Sequence, residues 1–428
     1  YEITARLVGS EMCIRARSHI LQSELKGEPD WPLRPAQTDR RYYLFLVTYL
    51  VLLSALGSFV NDMYTPSLPE MAQYFHCTAS RAQLSLTFGM IGLGIGQLLM
   101  GPISDHYGRK PVLITSLIVF IIGAVASIFS PTMTVFLFCR LVQGMGAAGG
   151  YFLARTIPAD IYHGRDLAKL MALIGAVNGL APASSPVLGG IIADHGGWKA
   201  VFIVLAAFAF LVLCIAPKLK ESLYSQDRTT LPWYKTLPGY IRLMKNTPFM
   251  VHISLKGCTL GLLFSYISAA PFILERHYGF SQTMYGVIIG LNSLAVAAGS
   301  MLSLRFHPFK NAVALAIAIL VPSIGVGAYA LWHIHSFLLF EICTVSMLFA
   351  GGMIFSVSNT LAMNEGRTQA GEASALLGVA GYVVGAVVAP LVGIGDILHS
   401  TAIVFLSLLL LVVVFSVWTY RLKPDLDQ

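Results

Sequence analysis

The sequence predicts an all-α polytopic membrane protein of twelve transmembrane helices arranged as two related six-helix lobes. Three observations predict it. Only 11% of the residues are charged and 56% are hydrophobic, with a mean hydropathy of +0.71, whereas a soluble globular chain carries about a quarter charged residues. Apolar stretches of about 20 residues, the length of helix that crosses a bilayer's hydrocarbon, recur along the chain. Basic residues gather on alternate connections, as the positive-inside bias requires.

In order, the apolar stretches cover residues 42–63, 83–101, 112–129, 133–157, 167–193, 200–217, 249–274, 285–304, 311–332, 337–363, 373–394 and 403–420. Arg40, Arg41, Arg109, Lys110, Arg165, Lys169, Lys218, Lys220, Arg242, Lys245, Arg305, Lys310, Arg367, Arg421 and Lys423 fall on one side of these spans. The other side holds only Arg81, Lys199 and Arg276, so both termini are expected in the cytoplasm. A net charge of +7 dispersed in this way reports topology. It makes no phosphate-binding patch, and no nucleic-acid partner is expected. Cys13, Cys77, Cys139, Cys214, Cys258 and Cys343 stand singly, without disulfide or metal spacing.

Residues 1–41 read as an N-terminal tail, with Pro29, Pro32 and Pro35 in a flexible arm and no cleavable signal peptide ahead of the spans. Two readings of residues 1–17 stand: Gly9-Ser10-Glu11-Met12-Cys13-Ile14-Arg15 is similar to a translated sequencing-library adapter, or a genuine tail begins at Met12. Residues 42–217 form the first lobe, 218–248 a cytoplasmic linker, 249–421 the second lobe and 422–428 a short tail. Trp233 and Tyr234 in the linker suit the membrane surface. The lobes echo each other. Pro66-Ser67-Leu68-Pro69-Glu70 is answered by Pro271-Phe272-Ile273-Leu274-Glu275, and the stretch ending at Arg140 by the stretch ending at Glu341.

The most informative connection is Gly101-Pro102-Ile103-Ser104-Asp105-His106-Tyr107-Gly108-Arg109-Lys110-Pro111. Gly101 and Gly108 permit close backbone approach or positive φ, and Pro111 suits the first turn of the next helix. Asp105, a carboxylate at the edge of the apolar slab, calls for a helix N-terminus or an arginine. The segment resembles the loop between the second and third helices of the major facilitator superfamily, G-x-x-x-D-x-x-G-R-(K/R)-P. The resemblance implies that Gly101, Asp105, Gly108, Arg109 and Lys110 form a conformational latch joining the two lobes at their cytoplasmic side.

Ionisable groups inside apolar spans cost about 2.5–3.5 kcal/mol each on insertion scales, so each is a candidate for function. Asp62 closes the first span, about 30 Å from Arg41 at 1.5 Å per residue. It is either an interfacial acid or a buried carboxylate able to take and give a proton. Its surroundings, Asp62-Met63-Tyr64-Thr65-Pro66-Ser67-Leu68-Pro69, resemble the Bcr/CflA branch of drug:proton antiporters, in which the matching acid couples protons. Some relatives carry a second acid where this chain has Ser54. Arg140 begins Arg140-Leu141-Val142-Gln143-Gly144, similar to the superfamily's fourth-helix motif. A guanidinium stays charged, so Arg140 pairs with a carboxylate or supplies a fixed charge. Glu341, at the pseudo-equivalent position, is Arg140's partner or a second protonatable group. Lys256 sits about two turns inside the seventh span, where its stem can snorkel back to the headgroups.

Gly179, Pro182, Pro186, Gly189 and Gly190 in the fifth span resemble the antiporter pattern G-x-x-x-G-P-x-x-G-G, with Ala181-Pro182 in place of its G-P pair. After Arg155 the chain reads Thr156-Ile157-Pro158-Ala159-Asp160, a departure from the branch that takes away its second basic residue. Tyr64, Phe88, Tyr151, Phe152, Tyr266 and Tyr382 are candidates to line a substrate cavity. No nucleotide-binding loop and no nucleophile–base–acid set is present, so the chain does not read as an enzyme and calls for no cofactor. The resemblance implies a proton-coupled multidrug efflux antiporter of the bacterial inner membrane, monomeric in the bilayer, exporting small chloramphenicol- or bicyclomycin-like amphipathic compounds by alternating access. A dedicated exporter of amino acids or sugars and a non-transporting sensor on the same fold are the alternatives.

Overall fold

The computed structural model describes residues 40–162, 164–223, 228, 237–306 and 309–422. The N-terminal tail to residue 39, Trp233 and Tyr234 with most of the linker, and residues 423–428 lie outside the described residues. The chain divides into two compact units, Tyr1–Val47 and Thr48–Gln428. The first contributes the opening of α1 (Arg40–Asp62), and the second holds the rest of α1 and every later helix.

Among the described residues, ten helices are long and apolar enough to cross a membrane. One of them, Gly164–Ile215, is two helices, because Gly197 (φ 70°, ψ 179°) breaks it. Its parts, 164–196 and 198–215, are α5 and α6. Met133–Ile161, 29 residues long, rich in glycine and carrying Arg140, brings the number to twelve. In order these are α1, α2 (Ala79–Tyr107), α3 (Arg109–Ile128), α4 (Met133–Ile161), α5, α6, α7 (Thr247–Pro271), α8 (Gln282–Ser303), α9 (Phe309–Tyr329), α10 (Phe337–Glu365), α11 (Ala370–Leu391) and α12 (Ile397–Leu422). Side chains mark several starts: Thr78, Thr132, Asn246 and Ser281 accept hydrogen bonds from Arg81, Val135, Phe249 and Met284 amides, satisfying donors that a helix leaves open.

The charged connection is shorter than its composition suggests. Helix α2 continues through Gly101, Pro102 and Asp105 to Tyr107, and the chain reverses at Gly108 alone (φ 98°). Gly108 meets the positive-φ expectation, whereas Gly101 is helical and lies 3.5 Å from the ring of Phe152 if given a Cβ.

The two lobes meet along α2 with α7 and α11, and along α5 with α8. Gln83 donates to the Ser268 carbonyl (2.9 Å), Thr87 to Ala386 (2.8 Å) and Ser80 to Pro390 (2.8 Å). At the same end of the helices, here the Glu70 end, Arg276 donates to the Pro69 carbonyl (2.9 Å) and Tyr285 to the Thr65 hydroxyl (3.1 Å). Asp194 accepts from both the amide (2.9 Å) and the hydroxyl (2.5 Å) of Thr283. Small residues allow the α5–α8 crossing: a Cβ on Gly190 would lie 2.2 Å from the Gln282 carbonyl, and one on Gly286 2.3 Å from that of Pro186. Towards the opposite end, which bears Arg109, Gly175 and Gly179 of α5 have no atom within 4 Å of where a Cβ would be. The α5–α8 crossing is therefore tight at the Glu70 end, and Gly175 and Gly179 take no part in it.

Candidate functional site between the lobes

Among the described residues, the hydrogen bonds of the charged turn at the Arg109 end join parts of the first lobe and the chain just after it. Arg109 is buried and bonds Asp105 (2.5 Å), Ser104 (2.6 Å) and, from α4, Asp160 (2.9 Å). Glu221 accepts the amides of Arg109 (2.9 Å) and Lys110 (3.1 Å) at the first turn of α3. Ser222 donates to Asp160 (2.9 Å), and the Lys110 ammonium to the Pro217 carbonyl (2.8 Å). Asp105 does find its arginine. The expected latch to the second lobe is not what these bonds make: they fasten α2, α3 and α4 to one another and to the start of the linker. Asp160 and Glu221 were missed in the sequence, although an acid at the end of an apolar helix is a signal of the same kind as Asp105.

Arg140 of α4 is completely buried. Its guanidinium donates to the Val60 carbonyl (2.8 Å), to Asn61 (3.3 Å) and to Gln143, and lies 4.2 Å from the centre of the Tyr64 ring. The Tyr64 hydroxyl is 3.0 Å from that of Ser85. Among the described residues Arg140 forms no ion pair. Neutral acceptors and a π face hold this fixed charge, and of the two readings of Glu341 the one as Arg140's partner is not met. Glu341 belongs to another cluster, in which the Asn292 amide donates to the Tyr266 hydroxyl (2.7 Å). The lobes thus carry comparable buried clusters of opposite charge, Arg140 on Tyr64 and Glu341 beside Tyr266.

Asp62 ends α1, its carbonyl accepting from the Thr65 hydroxyl (2.8 Å). Asp62 is half-buried, and the chain that follows, Met63 to Pro69, is buried. Its charge acts on the phenols of Tyr64, of Tyr285 in α8 and of Tyr382 in α11. Asp62 forms no ion pair among the described residues.

Lys256 departs from its expected snorkelling. Its ammonium is buried, donating to Asn359 (2.8 Å) and to the Leu377 carbonyl (3.0 Å), and stands 5.2 Å from the centre of the Phe355 ring. On α4, Arg155 bonds the Tyr151 hydroxyl (2.6 Å) and covers its ring at 4.3 Å. The Arg155 charge acts on both Lys256 and Tyr382. Of the six candidate aromatics, Tyr151 lies under Arg155, and Tyr382 packs against Phe264 at 5.9 Å. Tyr64 and Tyr266 are sealed inside the two charged clusters. Phe152 packs against Gly101, and Phe88 pairs with the exposed Phe138 (5.9 Å).

In α5, Gly189 lies against the Met63 carbonyl and Gly190 against Gln282, while the Pro182 carbonyl accepts from Ser293 (3.4 Å) and the Pro186 carbonyl faces Gly286. Gly179 stands free of all this. The glycines and prolines singled out in the sequence thus mark the crossing of α5 with the second lobe.

The Major Facilitator Superfamily profile matches residues 50–390. The chain is 34% identical to an uncharacterized MFS-type transporter, YdgK, of Bacillus subtilis, over 82% of this chain and 89% of that protein. It is 28% identical to the bicyclomycin resistance protein homolog of Haemophilus influenzae, over 82% and 89%, and 29% identical to the multidrug resistance protein MdtL of Escherichia fergusonii, over 85% and 93%. Among solved structures, an inward-facing, unoccupied bacterial homolog of the human lysosomal transporter Spinster superposes with a TM-score of 0.74, at 16% identity over 91% of this chain and 99% of that one. The D-xylose-proton symporter does so with a TM-score of 0.67, at 16% identity over 90% and 99%. At such identities these two support the fold alone.

Proposed function

The chain belongs to the Major Facilitator Superfamily, whose members move small molecules across membranes, and on that premise we propose that it is a proton-coupled efflux antiporter of small amphipathic compounds in the bacterial inner membrane. The observation that supports the reading best is Asp62: a carboxylate at the end of an apolar helix, without an ion-pair partner among the described residues, whose charge acts on tyrosines of both lobes. Such a group gains a proton where it is reached from the acidic side and gives it up when the other side opens. The relatives named for bicyclomycin and multidrug resistance support the substrate class and the outward direction. The basic residues flanking the spans support a cytoplasmic Arg109 end and cytoplasmic termini.

In this reading the present arrangement is open towards the cytoplasm. Substrate enters from the Arg109 end, the lobes pivot, the α5–α8 crossing separates at the Glu70 end, and an inbound proton on Asp62 resets the cycle. Arg140 keeps the end of α1 in place by holding the Val60 carbonyl and Asn61. A proton crossing 100 mV releases about 2.3 kcal/mol, enough for roughly a fiftyfold gradient of substrate.

The test is proton movement in proteoliposomes containing the full chain, driven by chloramphenicol added to one side. Asp62→Asn abolishes it on this reading, and undiminished drug-driven proton movement in that variant defeats it. A dedicated metabolite exporter is the second reading, favoured by the cations Arg155 and Lys256 beside the central tyrosines. It predicts one physiological substrate and no change in drug resistance when the protein is produced in cells.

A further inference from the structure

Two hydroxyls near the end of α12 depart from the habit of their neighbours. Elsewhere on α10 and α12 hydroxyls donate to the carbonyl one turn back, as Ser358 does to Ile354 (2.7 Å), Thr360 to Ser356 (3.1 Å), Thr401 to Ile397 (2.6 Å) and Ser407 to Ile403 (2.8 Å). Ser416 and Thr419 do not. They are only 6% and 3% exposed, and their hydroxyls have no hydrogen-bond partner among the described residues. A buried hydroxyl in that condition is costly and calls for a reason.

Both residues line a cleft at the Arg109 end, where α9 begins and α12 finishes, together with Lys310 and Val313 of α9 and Val357 and Leu361 of α10. The Lys310 ammonium lies 5.4 Å from the centre of the Tyr420 ring and forms no ion pair among the described residues. No carboxylate is among the described residues lining the cleft, Glu365 standing one turn beyond Leu361. The surroundings are those of the bilayer's edge. The main packing partners of α9 and α12 lie within the second lobe, and Leu315, Val414 and Val417 on these two helices are exposed apolar side chains. Trp418 and Tyr420 are exposed beside them, and such rings gather where hydrocarbon meets headgroups.

We propose that this cleft binds the phosphodiester of an anionic phospholipid from the surrounding bilayer, the Lys310 ammonium leaving the Tyr420 ring to hold one phosphate oxygen while the Ser416 and Thr419 hydroxyls donate to others. The flexible four-carbon stem of a lysine allows that movement. An ammonium and two hydroxyls without other partners suit an oxyanion. The ammonium of an ethanolamine or choline headgroup meets no carboxylate here, so a headgroup without one, such as that of phosphatidylglycerol, is preferred. One lipid bonded from both helices fastens the start of α9 to the end of α12. Nothing in this requires the antiport reading; the membrane-spanning fold suffices.

The test is native mass spectrometry of the full chain, delipidated in detergent and titrated with phosphatidylglycerol or with phosphatidylcholine of the same acyl chains. The first phosphatidylglycerol should bind at least about tenfold more tightly than the first phosphatidylcholine, as a charge-assisted contact should. Lys310→Gln should erase that preference and Lys310→Arg keep it. Ser416→Ala combined with Thr419→Val leaves the charge in place, and it should weaken phosphatidylglycerol binding at least about threefold while leaving phosphatidylcholine unchanged. Lys169→Gln, which removes an exposed charge from the same end of the first lobe, should change neither. Equal binding of the two lipids, a preference that survives Lys310→Gln, or no effect of the hydroxyl pair overturns the proposal. A loss in Lys169→Gln equal to that in Lys310→Gln means that the lipid answers to net charge alone, and displacement by inorganic phosphate means a site for free phosphate; either overturns it as well. The comparison of lipids on the unaltered chain decides even where a variant does not fold.

Discussion

The crossing of α5 and α8 at the Glu70 end gives a sharp prediction, because backbone meets backbone there. A Cβ on Gly190 would sit 2.2 Å from the Gln282 carbonyl oxygen and 2.9 Å from the Thr283 Cα. Carbon atoms not bonded to each other rest at about 3.5–4.0 Å, so the helices must part by roughly 1 Å to admit one methyl group. They are not free to do so, since Thr283 is tied through its amide (2.9 Å) and hydroxyl (2.5 Å) to Asp194, one turn along α5. Overpacking of this kind costs about 1–3 kcal/mol, and the whole of it falls on the arrangement closed at the Glu70 end. Gly190→Ala should therefore shift the balance towards the opposite arrangement by about 5- to 150-fold. The assay is the labelling rate of Ser67→Cys, a site buried at that end, by an impermeant maleimide applied from the Glu70 side in a background without other cysteines. The rate should rise at least about fivefold and transport should fall. Gly179→Ala, which meets no atom within 4 Å, should leave the labelling rate alone. Unchanged labelling in Gly190→Ala, or an equal effect of Gly179→Ala, would refute the reasoning.

Two further substitutions probe parts of the argument. Arg140→Lys exchanges a planar fork for a point charge that cannot serve Val60, Asn61 and Gln143 together; a loss of about 1–3 kcal/mol per orphaned acceptor should lower the thermal midpoint in nanodiscs, and an unchanged midpoint would mean the cluster carries no strength. Asp396 caps α12, accepting from the Leu398 and His399 amides (both 3.0 Å), so Asp396→Ala should cost about 1 kcal/mol and Asp396→Asn much less. The His399 amide and ring and the Leu398 amide hold the Asp396 carboxyl below its ordinary range. The cap is therefore intact at neutral pH and is lost as pH falls through that lowered value. Hydrogen exchange at Leu398 and His399 should quicken only at that acid limit, and quickening at neutral pH would show that some other group governs it.

Much of the architecture could be read directly from the residues, since transmembrane helices are written in local composition: twenty apolar residues cannot leave their backbone unpaired in lipid, so they coil. The turn before Arg109 was also legible, because positive φ at Gly108 and the pairing of Asp105 with Arg109 are satisfied within a few residues. Longer-range relations were read less well. That motif pointed towards a contact between lobes, and the structure spends it on Asp160 and Glu221 instead. Lys256 was expected to reach for the headgroups, and it turns inward to Asn359, more than a hundred residues away.

The sequence by itself determined which segments cross the bilayer, where charge is placed along each of them, and which helices carry the small residues that permit close approach. Only the tertiary structure decided which way each charge faces. Hydropathy measures how deep a residue lies and says little of the rotation of its helix, and that rotation is set when six helices pack against six others. For that reason Arg140 could be found from its motif while its neutral partners could not.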